Sequence, residues 1–538
     1  MIASPPVSDR RRNPAGNRVR AHHVLLMLFL GGGIGIIVAL GLYVTKVAYV
    51  GLLPFALALV LPTVFLKNFR LYWLAIFLLS LQFSIKKNLN DGLAVVDALN
   101  IDYTIWNFTF DITASDLVLL VLLAIWANDL MFHGKPMRFP PVTWLAVGYL
   151  GICLLSLVGA NSPYLGFVEL SRQIKFVIVF LFAVNWLDSK SAVRVLAIVG
   201  VIILVTQAGM TVTRFETGYM TSLSFGESHQ DISEIEQYLA VDRTVEGSAL
   251  RGFGTLASPG STVRLCMMVI PFALFLCVPN AMFGMRLAFM GLTTFGLLGL
   301  LLTFTRVYYI TASVQVVLAF WIMVRDRMLK REEVVLVVVL ALAGLAAVSP
   351  KIYEQFTIRE DSASVRLLQY EATAKMILDN PFLGVGLNNG TGQKPKYVDV
   401  TYHNFDSNTQ FYLEPTHNLY LSLAAEIGIF GALLFVAFFG RAAFLAWRQS
   451  RHSPDLEIRL VANALVVMFC SVAINSTMDP LFEDATLDLL WLYAGLALNL
   501  PRMAQGQESA TPRTARPTTI AAAFRSADNR RAVAARER

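Results

Sequence analysis

His417 and Asn418 stand side by side where a long polar stretch runs into the apolar sequence Leu-Tyr-Leu-Ser-Leu, and Glu426, Gly428 and Gly431 follow lower down. An ionisable side chain at a membrane boundary is costly to hold and by default marks a functional site. An imidazole, with an ordinary pKa of ~6.5, can take a proton from a hydroxyl. Several arginines accompany it. Arg306 closes Leu-Leu-Thr303-Phe-Thr305, Arg366 follows Ser362-Ala-Ser364-Val, Arg251 and Arg264 bracket Gly-Phe-Gly-Thr-Leu-Ala-Ser-Pro-Gly, and Arg172 sits at the mouth of an apolar run. A guanidinium is a planar fork that fits phosphate bidentately and stays charged at any working pH. Its charge would also keep a nearby imidazole neutral. A base beside a diphosphate clamp is equipment for moving a sugar from a lipid diphosphate to a hydroxyl.

Each residue also has a plainer reading. A lone interfacial histidine is usually a hydrogen-bonder, and an interfacial arginine can simply snorkel to headgroups. Gly428 and Gly431 can serve close helix packing. Thr416 is placed to cap the helix that His417 begins, and His403 is a second candidate base in a loop. No phosphate-binding loop, His-Glu-x-x-His or Gly-x-Ser-x-Gly is present, and no Asp-x-Asp pair that would clamp a metal. Cys153, Cys266, Cys277 and Cys470 all lie in apolar segments without metal-type spacing. Neither a metal nor a cofactor is expected.

The elements that must position these groups are membrane spans. Of 538 residues, 56% are hydrophobic and 15% charged, against ~25% charged in soluble domains. Apolar runs near the ~17–25 residues of a span recur, and within a bilayer these must be helices. The fold class is therefore all-α, a polytopic membrane protein of roughly 12–14 helices. Spans read at 24–44, 47–66, 71–85, 115–132, 141–159, 173–187 and 192–213, then 263–281, 284–304, 307–324, 333–348, 417–440, 459–476 and 487–500. The first reads as an anchor rather than a cleaved signal.

With fourteen spans, Lys and Arg collect on one side, among them Arg10, Arg70, Arg138, Lys190, Arg194, Arg325, Arg441 and Arg451. That places both termini in the cytoplasm and the histidine on the external side. The net charge of +7 is thus topology rather than a signal for nucleic acid. A basic amino terminus (1–23) leads to a first helical bundle (24–213), a periplasmic loop (214–262) and further spans (263–348). A larger loop (349–416), the last spans (417–500) and a disordered tail (501–538) complete the chain. Long loops of this kind usually carry function.

His417-Asn418, nine residues, then Gly428-x-x-Gly431 resembles the signature of bacterial O-antigen ligases and the related polymerases, His followed by Asn, Ser or Gln, nine residues, then Gly-x-x and Gly, Thr or Tyr. Pro381-Phe-Leu-Gly384-Val-Gly386-Leu-Asn388 looks like that family's Pro-x-x-Gly-x-Gly element, and Thr303-Phe-Thr305-Arg306 like its Thr-x-Ser-Arg. Thr305 replaces the usual serine, and Val307 and Tyr308 replace small residues. The resemblance covers about 250–480. It implies a metal-independent, inverting glycosyltransferase of the membrane-embedded type in the bacterial inner membrane. The implied donor is a glycan on undecaprenyl diphosphate, and the acceptor lipid A core or a growing glycan. His417 would then be the base, Arg306 and Arg366 the phosphate ligands, with Arg251 and Arg172 beside them. Asn418 would orient the helix start or the acceptor, and Glu426 would be structural. Ligase, polymerase and protein-glycosylating enzyme share these elements, so the sequence leaves the acceptor, sugar and oligomeric state open. Of other classes, a flippase or transporter would need charges buried mid-span, and a silent assembly protein would tolerate loss of His417.

Overall fold

The computed structural model describes residues 66, 68–83, 86–88, 109–132, 136–217, 252–256, 258–276, 283–328, 361–398, 415–481 and 484–508. The spans expected at 24–44, 47–66 and 333–348, most of the loop at 214–262 and the tail beyond 508 fall outside them, as does Arg251; residues 501–508, read as the start of the disordered tail, instead continue the last helix. The chain is an all-α polytopic membrane protein, and five of its described helices are long and apolar enough to cross a bilayer.

In order, α1 is Phe69–Ser80, α2 Ala114–Phe132, α3 Thr143–Ser156, α4 Pro163–Trp186, α5 Lys190–Thr217 and α6 Pro259–Leu276. They are followed by α7 Phe283–Leu301, α8 Arg306–Arg325, α9 Asp361–Asp379, α10 Leu419–His452, α11 Leu456–Asn475 and α12 Asp484–Glu508. A short antiparallel pair, β1 (Lys86–Asn88) and β2 (Asp111–Thr113), aligns Lys87 with Ile112. Eleven of the fourteen expected spans thus have a described helix. α9 was not expected: it lies within the stretch read as a structureless loop at 349–416.

The core forms where α3, α4, α10 and α12 cross. Trp491 is buried among Tyr149, Phe180, Phe438 and Phe439, with ring centroids 4.6 to 6.4 Å away. Aromatic packing of this kind supplies dispersion where lipid offers no hydrophobic drive between helices. α12 lies close on α4 because Gly495 carries no side chain: a Cβ there would stand 2.5 Å from that of Ala183. Asn499 then donates to the Ala183 and Leu187 carbonyls at 2.9 Å, satisfying the C-terminal end of α4.

Charge marks the two ends of the bundle. At one end Lys190 pairs with Asp455, Arg194 with Glu457, Arg70 with Asp129 and Arg325 with Asp326. Helix direction carries Arg172, Arg214, Arg264, Arg306 and His417 to the other. Charges are not confined to helix ends, however. Lys175, midway along α4, meets Asp116 at 3.1 Å and Asp484 at 3.2 Å, with fully buried Asp488 4.0 Å away.

Candidate active site

Asn418, not Thr416, caps α10. Its backbone is extended (φ −157°, ψ 109°), and its Oδ1 accepts the Leu421 N–H at 3.1 Å. Its Nδ2 donates to the Thr477 carbonyl at 3.2 Å. The Thr416 hydroxyl pairs instead with that of Thr373 on α9, at 2.7 Å. His417 is thereby fixed between the end of α9 that carries Tyr370 and the turn that joins α11 to α12. The Tyr370 hydroxyl donates to the His417 carbonyl at 2.8 Å, and the Leu419 N–H to the Ser476 carbonyl at 2.8 Å.

The histidine has a carboxylate partner. Its Nδ1 faces Oδ1 of Asp479 at 3.6 Å, and the other oxygen of Asp479 accepts from the Arg264 guanidinium. Burial pushes the Asp479 carboxyl up, but the Arg264 charge and the nearby His417 outweigh it, so the group sits below its ordinary value. A carboxylate behind a histidine fixes which ring nitrogen carries the proton and stabilises the imidazolium. Arg366 sits one turn before Tyr370 on the same face of α9. The Tyr370 hydroxyl is raised by burial, lowered by the Arg366 charge and raised by that of Asp479. Arg366, Tyr370, Asp479, Arg264 and His417 therefore share one locality.

Arg306 opens α8 after a sharp turn. Thr303 Oγ1 donates to the Leu300 carbonyl at 2.8 Å, Thr305 Oγ1 to the Thr303 carbonyl at 3.3 Å, and Phe304 between them has φ 46°. A non-glycine residue in the left-handed region is uncommon and costs of order 1–3 kcal/mol, which is typical of functional turns. The two threonines hold this turn, and the turn sets Arg306 at the histidine end. Arg172 is engaged differently. Its Nε and a terminal nitrogen reach Asp484 Oδ1 at 3.0 and 2.9 Å, and its other terminal nitrogen pairs with Glu169.

The Gly-x-x-Gly and Pro-x-x-Gly-x-Gly elements turn out to be one construction. α10 breaks at Gly428 (φ 73°, ψ 169°). The Val385 and Gly386 N–H groups donate to the Ala425 and Glu426 carbonyls at 2.8 and 3.0 Å, and the Ile429 N–H donates to the Pro381 carbonyl at 2.9 Å. The loop thus replaces the helical bonds that the break removes. A Cβ on Gly428 would stand 2.0 Å from the Phe382 oxygen, and one on Gly384 (φ 69°) 2.3 Å from the Glu426 carbonyl carbon. At Gly386 (φ 102°) a Cβ would meet Ala160. Gly431 does serve packing, against Ile427 and Ile152. Glu426, buried, accepts the Asn388 N–H at 2.9 Å and so holds the far side of the same loop.

Sequence reasoning missed Asp479. Its one local signal is a carboxylate before Pro480 between two spans at the histidine end. Among the described residues no three His, Cys, Asp or Glu side chains are gathered as a metal ion would need.

No curated protein matches the chain. Residues 291–436 match the family model described as O-antigen ligase. The matched region runs from α7 through the Arg306 turn, α9 and the interlocked loop to the broken helix that follows His417. That match supports membership of the O-antigen ligase-like superfamily for this part of the chain.

Proposed function

We propose that the protein transfers a glycan from undecaprenyl diphosphate to an acceptor hydroxyl at the periplasmic face of the bacterial inner membrane, as an O-antigen ligase. The observation that carries this reading is His417 backed by Asp479, with Arg264 and Arg366 in the same locality. With Nδ1 turned to Asp479, Nε2 takes the proton from the acceptor hydroxyl. The hydroxyl oxygen attacks the anomeric carbon from the face opposite the diphosphate, and the bond from that carbon to the phosphate oxygen breaks. The product is inverted and undecaprenyl diphosphate leaves. Arg306 and Arg366 bind the diphosphate and stabilise its growing charge. Arg172 already holds two carboxylates, so in this reading it is structural. No metal enters the reaction, and chelators leave the rate unchanged.

The test is a deletion strain complemented with wild type or His417→Ala, with surface glycans resolved by size. Long glycan stranded on undecaprenyl diphosphate and absent from lipid A core identifies a ligase. Single repeats without long chains identify a polymerase of the same superfamily. An unchanged profile with correctly inserted His417→Ala overturns the assignment of the base.

A second reading, a flippase, is favoured by half-buried Lys175 and Asp116 beside buried Asp488, since intramembrane charges often mark transport pathways. Purified protein in detergent separates the two. Formation of the glycosidic bond from lipid-linked donor and acceptor requires the enzyme, and a flippase makes none.

A further inference from the structure

The turn that follows α9 lies within the stretch read from sequence as a loop at 349–416, yet it exposes large apolar side chains. Leu378 is 79% exposed, Phe382 67% and Leu383 39%. The Phe382 ring stacks on Phe430 of α10, itself exposed, at 6.2 Å and 15°. The depth of this patch follows from its bonds. Tyr370 and Thr373 lie level with His417 and Thr416, Met376 packs with Val385 and Ala425, and Pro381 bonds to Ile429. α9 therefore descends beside the first part of α10, and the chain turns back at Pro381–Gly386. It climbs again to Ser156 and Ser162, where Leu387 and Asn389 are bonded. Leu419 is level with the end of α11, and nine residues of helix carry Gly428 about 13 Å below it.

Apolar surface lies on both sides of that level. Leu154, Leu155 and Val158 at the end of α3 are exposed above it, and Phe430 and Leu433 of α10 at and below it. Gly431 against Ile152 joins these two helices at the same height. Glu371, Lys375 and Asp379 of α9, exposed like Leu378, are engaged with one another or with a neighbouring tyrosine. Glu371 and Lys375 pair at 2.9 Å higher up the helix, and Asp379 turns to the Tyr397 hydroxyl. The backbone at the turn is bonded to Ala425, Glu426 and Ile429, which is the condition for irregular chain at membrane depth.

We infer that Leu378–Leu383 is a re-entrant turn covered by the acyl chains of membrane lipids, continuous with the lipid-facing surface of α3 and α10. The occupant is bulk lipid, because Phe382 stacks on exposed Phe430 and the patch thus adjoins exposed apolar residues of α10 and shares their chemistry. The inference rests on the bundle spanning the bilayer and is independent of the reaction assigned to His417.

The experiment uses full-length protein reconstituted in phosphatidylethanolamine and phosphatidylglycerol vesicles. With Cys277 and Cys470 replaced by alanine, Phe382→Cys and, separately, Leu378→Cys are labelled with a nitrobenzoxadiazole maleimide. Leu378 is the more exposed of the two, so its variant remains informative where Phe382→Cys fails to fold. The expected result is blue-shifted emission that is lost with doxyl-labelled lipids and unchanged by aqueous iodide. Quenching by iodide in place of the lipid quencher would overturn the inference. Protection from both quenchers would overturn it equally, since protein would then cover the patch. Neither readout depends on glycan transfer.

Discussion

The two oxygens of Asp479 are divided between Arg264 and His417, and this division sets what substitution should do. Asp479→Asn keeps the shape and removes the charge that would stabilise an imidazolium, so turnover should fall by about 10²-fold with little change in KM. A quantitative transfer assay on purified protein checks it, and unchanged turnover would remove Asp479 from the mechanism. The same carboxylate links folding to pH. Its value in the folded protein lies below the reference of 3.8. Its contribution to stability is therefore complete above the ordinary carboxylate value and is lost as pH falls through the depressed one. Melting temperature in detergent should drop on acidification from about pH 5 to about pH 3, and less so in Asp479→Asn. His417 and Asn418 could be read from the sequence because their neighbours along the chain gave them away. Asp479 could not, since it meets His417 only through the packing of α11 and α12 against α10.

At the level of single elements, α10 behaves as two helices joined by a borrowed strand of backbone. Gly428→Ala places a methyl group on the Phe382 carbonyl in a conformation that disfavours side chains. It should cost about 3 kcal/mol or more. Gly440→Ala on the same helix meets nothing within 4 Å and should instead stabilise by roughly 0.5–1 kcal/mol. Thermal unfolding of the two variants in one detergent compares them directly, and equal melting temperatures would contradict the break. The glycine motif was visible in the sequence, but its purpose was not, because Gly-x-x-Gly in an apolar run looks the same whether it packs a neighbour or interrupts a helix. Only the torsion at Gly428 distinguishes these, and that torsion exists because Pro381–Gly386 answers it. α9 escaped notice for a related reason: its apolar residues, Leu367, Leu378 and Met376 among them, are too sparse and too mixed with charge to read as a span.

Across the whole molecule, the alternation of helix directions separates His417 and Asp479 from Lys190, Asp455 and Arg451. Thr477 and Arg451 are exposed at opposite ends. In cells with a permeabilised outer membrane, Thr477→Cys should react with a membrane-impermeant maleimide. Arg451→Cys should react only after the inner membrane is opened. The reverse pattern would place the histidine in the cytoplasm. This alternation was legible because positive residues and apolar lengths are local properties. The Lys175 group was not, because its carboxylates come from α2 and α12, which only the fold brings to α4. The joint between Pro381–Gly386 and α10 also constrains the order of synthesis. The loop leaves the ribosome before Ala425, Glu426 and Ile429 exist, so its Val385 and Gly386 donors at first have no acceptor except water. It must wait outside the hydrocarbon until α10 has been made, and the two then enter together. The histidine end of this protein should therefore be completed only after α10 has been made.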